Sequence, residues 1–340
     1  MANYMPVERV LKPSHGSRVP DSAMGGERCN RQSVKLSTSQ KVIERSMLSA
    51  RCLGLGSAPM ADDPVADLRA TWETAAPGWA KWEAAFSAGL AEVTEALLDM
   101  AGVADGQRVL DLACGAGSQT MRAAARVGPN GSVIAVDISG TMLVHVGDNA
   151  RLIGLNNIQT VECAAEDLDP TQAPFDAAIS RLGLMLFAAP GLALTSVERV
   201  LKPKARFAAL VFTTPTNNLF MAKPMQVLLR HADKEPPAPG RPGIFALGKA
   251  GVLPALMTNS GLVDLKEQVL RAPLRLASAA EALQMMQQAF GAYRAVAAEL
   301  SDDKRREAWA EVAAGLQEFE GERGFETDLE FVICSGAKPG

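Results

Sequence analysis

The sequence lacks the features of several classes of protein. It has no uninterrupted apolar run of about eighteen residues, so no membrane-spanning helix is predicted. Its 5 cysteines form no CxxC pair, and no histidine lies near them at metal-ligand spacing. The net charge of -4 gives no general attraction to nucleic acid phosphates. We therefore expect a cytoplasmic protein with reduced thiols, no metal, no membrane span and no nucleic-acid partner.

The length and composition allow one large domain with additions. A chain of 340 residues with 48% hydrophobic content can bury a full α/β core. Residues 1–60 are basic and rich in serine, without a sustained helical or strand period. Such a segment buries too little apolar area to offset its ordering entropy. We expect it to be disordered or a non-native extension, with an organelle-targeting segment as the alternative, and residues 61–340 to form the domain.

Two short motifs carry most of the functional information. Residues 109–120 (VLDLACGAGSQT) are an apolar run that ends at Asp111 and continues into a glycine-rich turn. Residues 133–139 (VIAVDIS) are a second apolar run that ends at Asp137. The pattern predicts a strand, a turn, a helix and a second strand, with Asp137 placed to accept hydrogen bonds from sugar hydroxyls. Because Thr120 replaces the third glycine of a dinucleotide fingerprint, and Asp111 would repel a pyrophosphate, an NAD-dependent oxidoreductase is disfavoured.

The motifs resemble those of the class I S-adenosylmethionine-dependent methyltransferases, in the group of the ubiquinone and menaquinone biosynthesis enzymes. Residues 175–187 (FDAAISRLGLMLF) and 197–203 (VERVLKP) match at the intervals of strand four and of the turn before strand five. The resemblance covers residues 70–340. It implies an α/β, Rossmann-like fold with a seven-stranded, mostly parallel sheet, an antiparallel edge strand and helices on both faces. In this chain a helical pair is inserted between the last two strands, and such insertions usually build a lid over the substrate. The resemblance also implies S-adenosylmethionine as cofactor and in-line methyl transfer to a carbon, oxygen or nitrogen atom of a small molecule.

The resemblance also divides the domain. Residues 61–100 would form a helical cover over the cofactor, broken into two helices at Pro77 and Gly78. Residues 101–213 would form the cofactor-binding core. Residues 214–262 and 278–322 would be insertions that build the substrate lid.

The cofactor-binding residues follow from the same match. Asp111 would hold the methionine end, the turn would meet the carboxylate near a helix N-terminus, and Asp137 would hold the ribose. Ala164 stands where related proteins carry an aspartate for the adenine amino group, so Glu166 or Asp167 compensates or the contact is lost. The predicted set is Asp111, Ala113, Cys114, Gly115, Gly117, Asp137, Ile138, Met142, Ala164, Ala165, Glu166, Ser180 and Arg181. A further departure is Lys204 and Ala205, in place of a glycine pair.

The acceptor side offers two candidate catalytic residues. Arg181 could pair with a carboxylate or enolate of the substrate, or form a surface ion pair. His231 could act as a base, or be an exposed helix histidine beside Asp233 and Lys234. The acceptor stays open, as does the choice between monomer and homodimer. A protein that binds S-adenosylmethionine without methylating, as a regulatory or partner module, is the alternative function.

Overall fold

Buried strands that alternate with helices build the centre of this protein. The computed structural model describes residues 64–172, 174–237 and 241–340, and predictions for residues 1–60 lie outside this part. Its strands are β1 Arg108–Leu112, β2 Ser132–Asp137, β3 Ile158–Glu162, β4 Phe175–Arg181, β5 Leu201–Phe212, β6 Val263–Leu276, β7 Glu320–Gly321 and β8 Gly324–Ala337. Its α-helices are α1 Pro64–Gly89, α2 Ala91–Ala101, α3 Ser118–Val127, α4 Gly140–Ile153, α5 Pro190–Val200, α6 Leu219–His231, α7 Val252–Asn259, α8 Ala279–Ala289, α9 Gly291–Ala298 and α10 Asp302–Leu316.

The strands form one mostly parallel sheet in the order β3-β2-β1-β4-β5-β8-β6, with β7 paired to β8. The pairs among β1 to β5 are parallel, as expected for apolar strands that are covered on both faces. The predicted Rossmann-like α/β fold is confirmed. Two details differ: β7 adds an eighth, two-residue strand, and the antiparallel strand β8 lies inside the edge, between β5 and β6.

The sheet order places the predicted ligand-binding residues together at the carboxyl ends of the central strands. The chain reverses direction across the sheet between β1 and β4, and ligands of such sheets bind beyond the carboxyl ends of the strands at this switch. Asp137 ends β2, Arg181 ends β4, and Asp111 is the penultimate residue of β1. The three residues therefore share one rim.

The helix α1 is continuous, which corrects the predicted break at Pro77 and Gly78. Pro77 lies inside the helix, and the chain breaks only at Leu90, before α2. A Cβ atom added at Gly78 would lie 1.8 Å from the carbonyl oxygen of Gln288 in α8. The glycine thus lets α1 pack directly on the α8 backbone, and this packing holds a helix that its local sequence would interrupt.

Two of the inserted helices, α8 and α9, pack against α1, and α10 packs against α6 and α8. The helices α8, α9 and α10 lie between β6 and β8 in the chain, whereas α6 and α7 lie between β5 and β6. Tyr293 of α9 is fully buried, and its hydroxyl donates to the carbonyl oxygen of Met221 in α6 at 2.5 Å. Among residues 64–172, 174–237 and 241–340, no helix combines the length and apolar character of a membrane-spanning segment.

Candidate active site

A cavity of about 840 Å³, measured with its open mouth, lies at the carboxyl ends of β1, β2 and β4. The turn after β1, the end of β2 and the segment after β4 form its floor, and α1 contributes Leu68, Trp72 and Trp79 to its wall. The remaining lining residues are Leu112, Ala113, Cys114, Gly115, Gln119, Val136, Asp137, Ile138, Met142, Cys163, Ala165, Glu166, Arg181, Leu182, Gly183, Leu186 and Phe187. A largely apolar cavity with a few convergent polar groups is the usual form of a small-molecule site.

The Asp137 carboxylate links the glycine turn to the next helix. One oxygen accepts the Gly115 N–H at 2.9 Å, and the other accepts the Ser139 N–H at 3.0 Å. The side chain is 8% exposed, and this burial raises the pKa of Asp137 while the backbone donors lower it. Each carboxylate oxygen has two lone pairs, so one acceptor position on each is left for a ligand hydroxyl.

The Asp111 carboxylate lies under the cavity and is not part of its lining. It is fully buried and accepts from the Thr120 hydroxyl at 2.5 Å and from the Gln119 amide at 3.3 Å. Burial raises the pKa of Asp111 to about 6, although these two donors and Arg181 oppose the shift. Gln119, by contrast, does line the cavity. Asp111 therefore faces a ligand through Gln119, and the direct contact expected from the sequence is not formed.

Arg181 brings a buried positive charge to the cavity. Within the described part of the chain its hydrogen-bond partners are three hydroxyls: Thr94 at 3.1 Å, Ser87 at 3.4 Å, and Ser118. Burial lowers the pKa of Arg181, and the negative charges of Glu83 and Asp111 partly offset this effect. A guanidinium that is held by neutral groups retains the capacity to bind a ligand carboxylate.

The first amide of α3 is already capped by the protein. Glu83, a buried residue of α1, accepts the Ser118 N–H at 2.9 Å. A carboxylate at this position is stabilised by the helix dipole. The N-terminal turn of α3 is therefore less open to a ligand carboxylate than the sequence suggested, and Arg181 becomes the stronger anchor for one.

A second, more apolar cavity of about 440 Å³ adjoins the first. The two share Trp72, Trp79, Leu182 and Leu186. The other walls come from α1, β5, α6, α9 and the segments beside them: Phe86, Met185, Phe212, Met221, Ile244, Phe290, Gly291, Ala292 and Tyr293. We call this the aromatic cavity.

The segment that forms most of the first cavity matches a known family. Residues 104–229 match the family described as a methyltransferase domain. These residues form a class I S-adenosylmethionine-dependent methyltransferase domain. The family assignment agrees with the sheet order and with the placement of Asp137 in the lining of the cavity.

The curated relatives of this methyltransferase domain are similar over that core. A ubiquinone/menaquinone biosynthesis C-methyltransferase of Pseudomonas savastanoi pv. phaseolicola is 37% identical over 123 residues, which is 36% of this chain and 48% of the relative. The Pasteurella multocida protein of the same name is 39% identical over 119 residues, 35% of this chain and 44% of the relative. The chain thus spans about half the length of the curated relatives it matches.

A solved structure supports the fold of the methyltransferase domain. A phosphoethanolamine N-methyltransferase 2 of Haemonchus contortus, in complex with phosphomonomethylethanolamine and S-adenosylhomocysteine, superposes with a TM-score of 0.51 at 17% identity. It covers 83% of this chain and 62% of its own length. At this identity the likeness concerns the fold.

The structure brings most of the predicted cofactor residues together. Those that line the cavity are Ala113, Cys114, Gly115, Asp137, Ile138, Met142, Ala165, Glu166 and Arg181. Four lie behind it: Asp111, Gly117, Ala164 and Ser180. The Ser180 hydroxyl is buried and has no hydrogen-bond partner in the described chain. Burial raises the pKa of the Cys114 thiol well above its usual range, so this residue of the methyltransferase domain is a packing group and not a nucleophile.

His231 does not reach either cavity, which corrects its predicted role as a base. It ends α6, and its Nε2 atom lies 3.1 Å from the Glu311 carboxylate of α10. Glu311 also pairs with Arg230, so the three residues form a charged group that joins two helices of the methyltransferase. The other expected acceptor-side residue, Arg181, does line the cofactor cavity.

Among the described residues near Ala164, Glu166 is the one acidic residue that lines the cavity. One oxygen of its carboxylate accepts the Ala189 N–H at 3.1 Å. Asp167 is not among the lining residues. Ile138, Met142 and Ala165 provide apolar surface on this side, which suits the faces of a purine ring.

Sequence reasoning missed three polar residues of the site. Gln119 lies in the first turn of α3, where its amide bridges Asp111 and the Cys114 carbonyl oxygen. Glu83 reaches Ser118 from a distant helix, and Glu73 of α1 accepts from the Thr141 hydroxyl at 2.5 Å. The position of Gln119 just after the glycine turn was a usable signal, whereas Glu83 and Glu73 depend on how α1 docks.

Proposed function

We propose that this protein transfers a methyl group from S-adenosylmethionine to an apolar small molecule. The proposal is based on the two adjoining cavities, which share part of their lining. The first has one acidic and one basic buried group, and the second is almost wholly apolar and aromatic. A charged cofactor and an apolar acceptor need environments of these two kinds side by side.

The residues of the first cavity fit the cofactor. Asp137 would hold the ribose hydroxyls through its two remaining acceptor positions, and its negative charge favours a cationic ligand. Ile138 and Met142 would contact the adenine ring. Arg181 would bind the carboxylate of the methionine portion, because it lacks a carboxylate partner within the described chain. When bound, S-adenosylmethionine supplies an activated methyl group on a sulfonium.

The protein's main contribution would be positioning and the exclusion of water. The aromatic cavity would hold the acceptor next to Trp79 and Leu182, which both cavities share. Holding reacting groups about 3 to 3.5 Å apart in the correct orientation is worth effective molarities of order 10⁵ to 10⁸ M. The cover helix α1 and the inserted helix α9 would close the site, as lids do in other enzymes.

The residues around the aromatic cavity, together with the relatives, suggest which class of methyl acceptor to test first. The relatives are ubiquinone/menaquinone biosynthesis C-methyltransferases, so a ring carbon of a quinol is the first acceptor to test. The aromatic side chains around the second cavity favour such a ring over a small polar amine. Transfer of the methyl group from labelled S-adenosylmethionine to matched panels of apolar phenols or quinols and of small amines would test this. Preferred methylation of amines would contradict it.

Titration with S-adenosylhomocysteine tests the cofactor site directly. We expect Asp137→Asn to weaken binding about 10- to 100-fold, because hydrogen bonds to a charged acceptor are worth about 1.5 to 3 kcal/mol. Asp176→Asn is the matched control: Asp176 also accepts a strand backbone N–H, from Arg108, but does not line the cavity. Equal affinities of the two variants would contradict the ribose assignment. Cofactor binding without methylation of any panel member would favour the non-catalytic alternative.

A further inference from the structure

Two tryptophans, Trp72 and Trp79, lie at the junction of the two cavities. Trp72, Trp79, Leu182 and Leu186 line both cavities, so a group that passes between the cavities must pass these side chains. Only the two indole rings among them carry a negative π face that attracts a cation. The shared wall is therefore able to respond to positive charge.

Of the two rings, Trp79 lies against the glycine turn. A Cβ atom added at Gly115 would be 3.2 Å from the Trp79 Nε1 atom, so the N–H edge of the indole meets the bare glycine backbone and the two ring faces point to the sides of that contact. The Gly115 N–H in turn donates to Asp137. Trp72 stands edge-on to Trp79 at 6.3 Å and packs near Gly291 instead.

Trp79 is also held firmly in place. Its ring centroid lies 5.7 Å from that of Phe86 and 6.3 Å from that of Phe290, and α1 is anchored on α8 through Gly78. A ring that is fixed in advance loses little entropy when a ligand binds, so its attraction for the ligand is retained.

We propose that Trp79 recognises the sulfonium of the cofactor by a cation–π interaction. The inference rests on the proposed function, because it requires the first cavity to hold S-adenosylmethionine. S-adenosylhomocysteine differs from it by one methyl group and one positive charge, so Trp79 distinguishes the methyl donor from the spent product. The methyl donor is thereby favoured over the spent product in competition for the site.

The test compares the dissociation constants of S-adenosylmethionine and S-adenosylhomocysteine, measured by calorimetry on the full chain. Trp79→Leu is expected to weaken binding of the methyl donor about 5- to 30-fold more than that of the product. Trp79→Phe, which keeps a weaker ring, is expected to lie between. Trp82→Phe is the control, since Trp82 is in the same helix, donates to Gln288 and lines neither cavity. Its ratio should equal that of the unsubstituted protein.

Fluorination separates charge recognition from packing. Replacing the 4 tryptophans by 5-fluorotryptophan weakens the negative ring faces and nearly preserves their shape. We expect the ratio to fall in the otherwise unsubstituted protein and to stay constant in Trp79→Phe.

Three results would overturn the inference. They are an equal loss of both affinities in Trp79→Leu, a ratio unchanged by fluorination, and a fluorine effect that persists undiminished in Trp79→Phe. Failure of the unsubstituted protein to bind either ligand would overturn the proposed function and this inference with it. Tight binding of both ligands, together with an unchanged ratio in the variants, would overturn this inference alone.

Discussion

The buried Asp111 carboxylate should make the stability of the protein depend on pH in an unusual direction. Most paired aspartates have a lowered pKa and stabilise the folded state at neutral pH. Asp111 is fully buried, and its pKa is raised from 3.8 to about 6 because desolvation outweighs its hydrogen bonds. Between pH 3.8 and about pH 6 the folded state therefore holds a proton that the unfolded state has released. The stability that this proton provides is lost as pH rises through about 6.

The size of the effect follows from the shift. A displacement of about two pKa units corresponds to about 3 kcal/mol in full. Between about pH 4.5 and about pH 7.5 the integrated change is about 2 kcal/mol, because part of the titration lies outside that window. In Asp111→Asn this titration is absent. The free energy of unfolding of the wild type, minus that of the variant, should therefore fall by about 2 kcal/mol over this interval.

Urea denaturation of both proteins at several pH values measures this difference. Asp169→Asn is the control, because Asp169 is exposed and its pKa is lowered by hydrogen bonds from Thr171. Its difference should stay nearly constant over this interval and fall only as pH drops below about 4, since a lowered pKa stabilises the folded state above the ordinary aspartate value of 3.8. A wild-type minus Asp111→Asn difference that is constant, or that rises with pH, would refute the reasoning.

Two further predictions concern the backbone. Gly78→Ala should destabilise the protein by about 1 to 3 kcal/mol, because the added Cβ atom would clash with the Gln288 carbonyl oxygen. Gly147→Ala should instead stabilise the protein by about 0.5 to 1 kcal/mol, because Gly147 lies in a helix and the nearest atom to its added Cβ, from the Arg151 side chain, is 3.6 Å away. Urea denaturation of the two alanine variants gives the comparison, and equal signs would contradict the close packing of α1. Lys204 has a φ of 67°, so Lys204→Gly should relieve about 1 kcal/mol of strain and raise the melting temperature; a lower melting temperature would contradict this.

The sequence was sufficient for the features that depend on local pattern. Each apolar strand followed by a helix predicted the parallel sheet, and the acid that ends β2 predicted the end of the sheet at which the cavity lies. The glycine turn was placed correctly because Gly115 and Gly117 adopt positive φ values that other residues rarely adopt. Lys204, which replaces the first glycine of a pair expected after Pro203, has the left-handed backbone conformation that glycine adopts easily.

Long-range packing decided the rest. Pro77 lies inside a continuous helix because contact with α8 outweighs the local tendency to break, and no local pattern reports such a contact. His231 faces Glu311, which is 80 residues away in the chain, so its distance from the rim could not be read from its neighbours.

The sequence by itself determined the order of strands and helices, the acids at the strand ends and the class of cofactor, because all three follow from residue types at short spacing. Only the tertiary structure decided the direction of the Asp111 side chain, the capping of α3 by Glu83 and the existence of the aromatic cavity. The aromatic cavity joins side chains from Trp72 to Tyr293, and such a surface arises only when separate segments fold against one another. Under the proposed function the choice of acceptor depends on that surface, so the sequence motifs indicate the methyl donor and leave the acceptor to the tertiary structure.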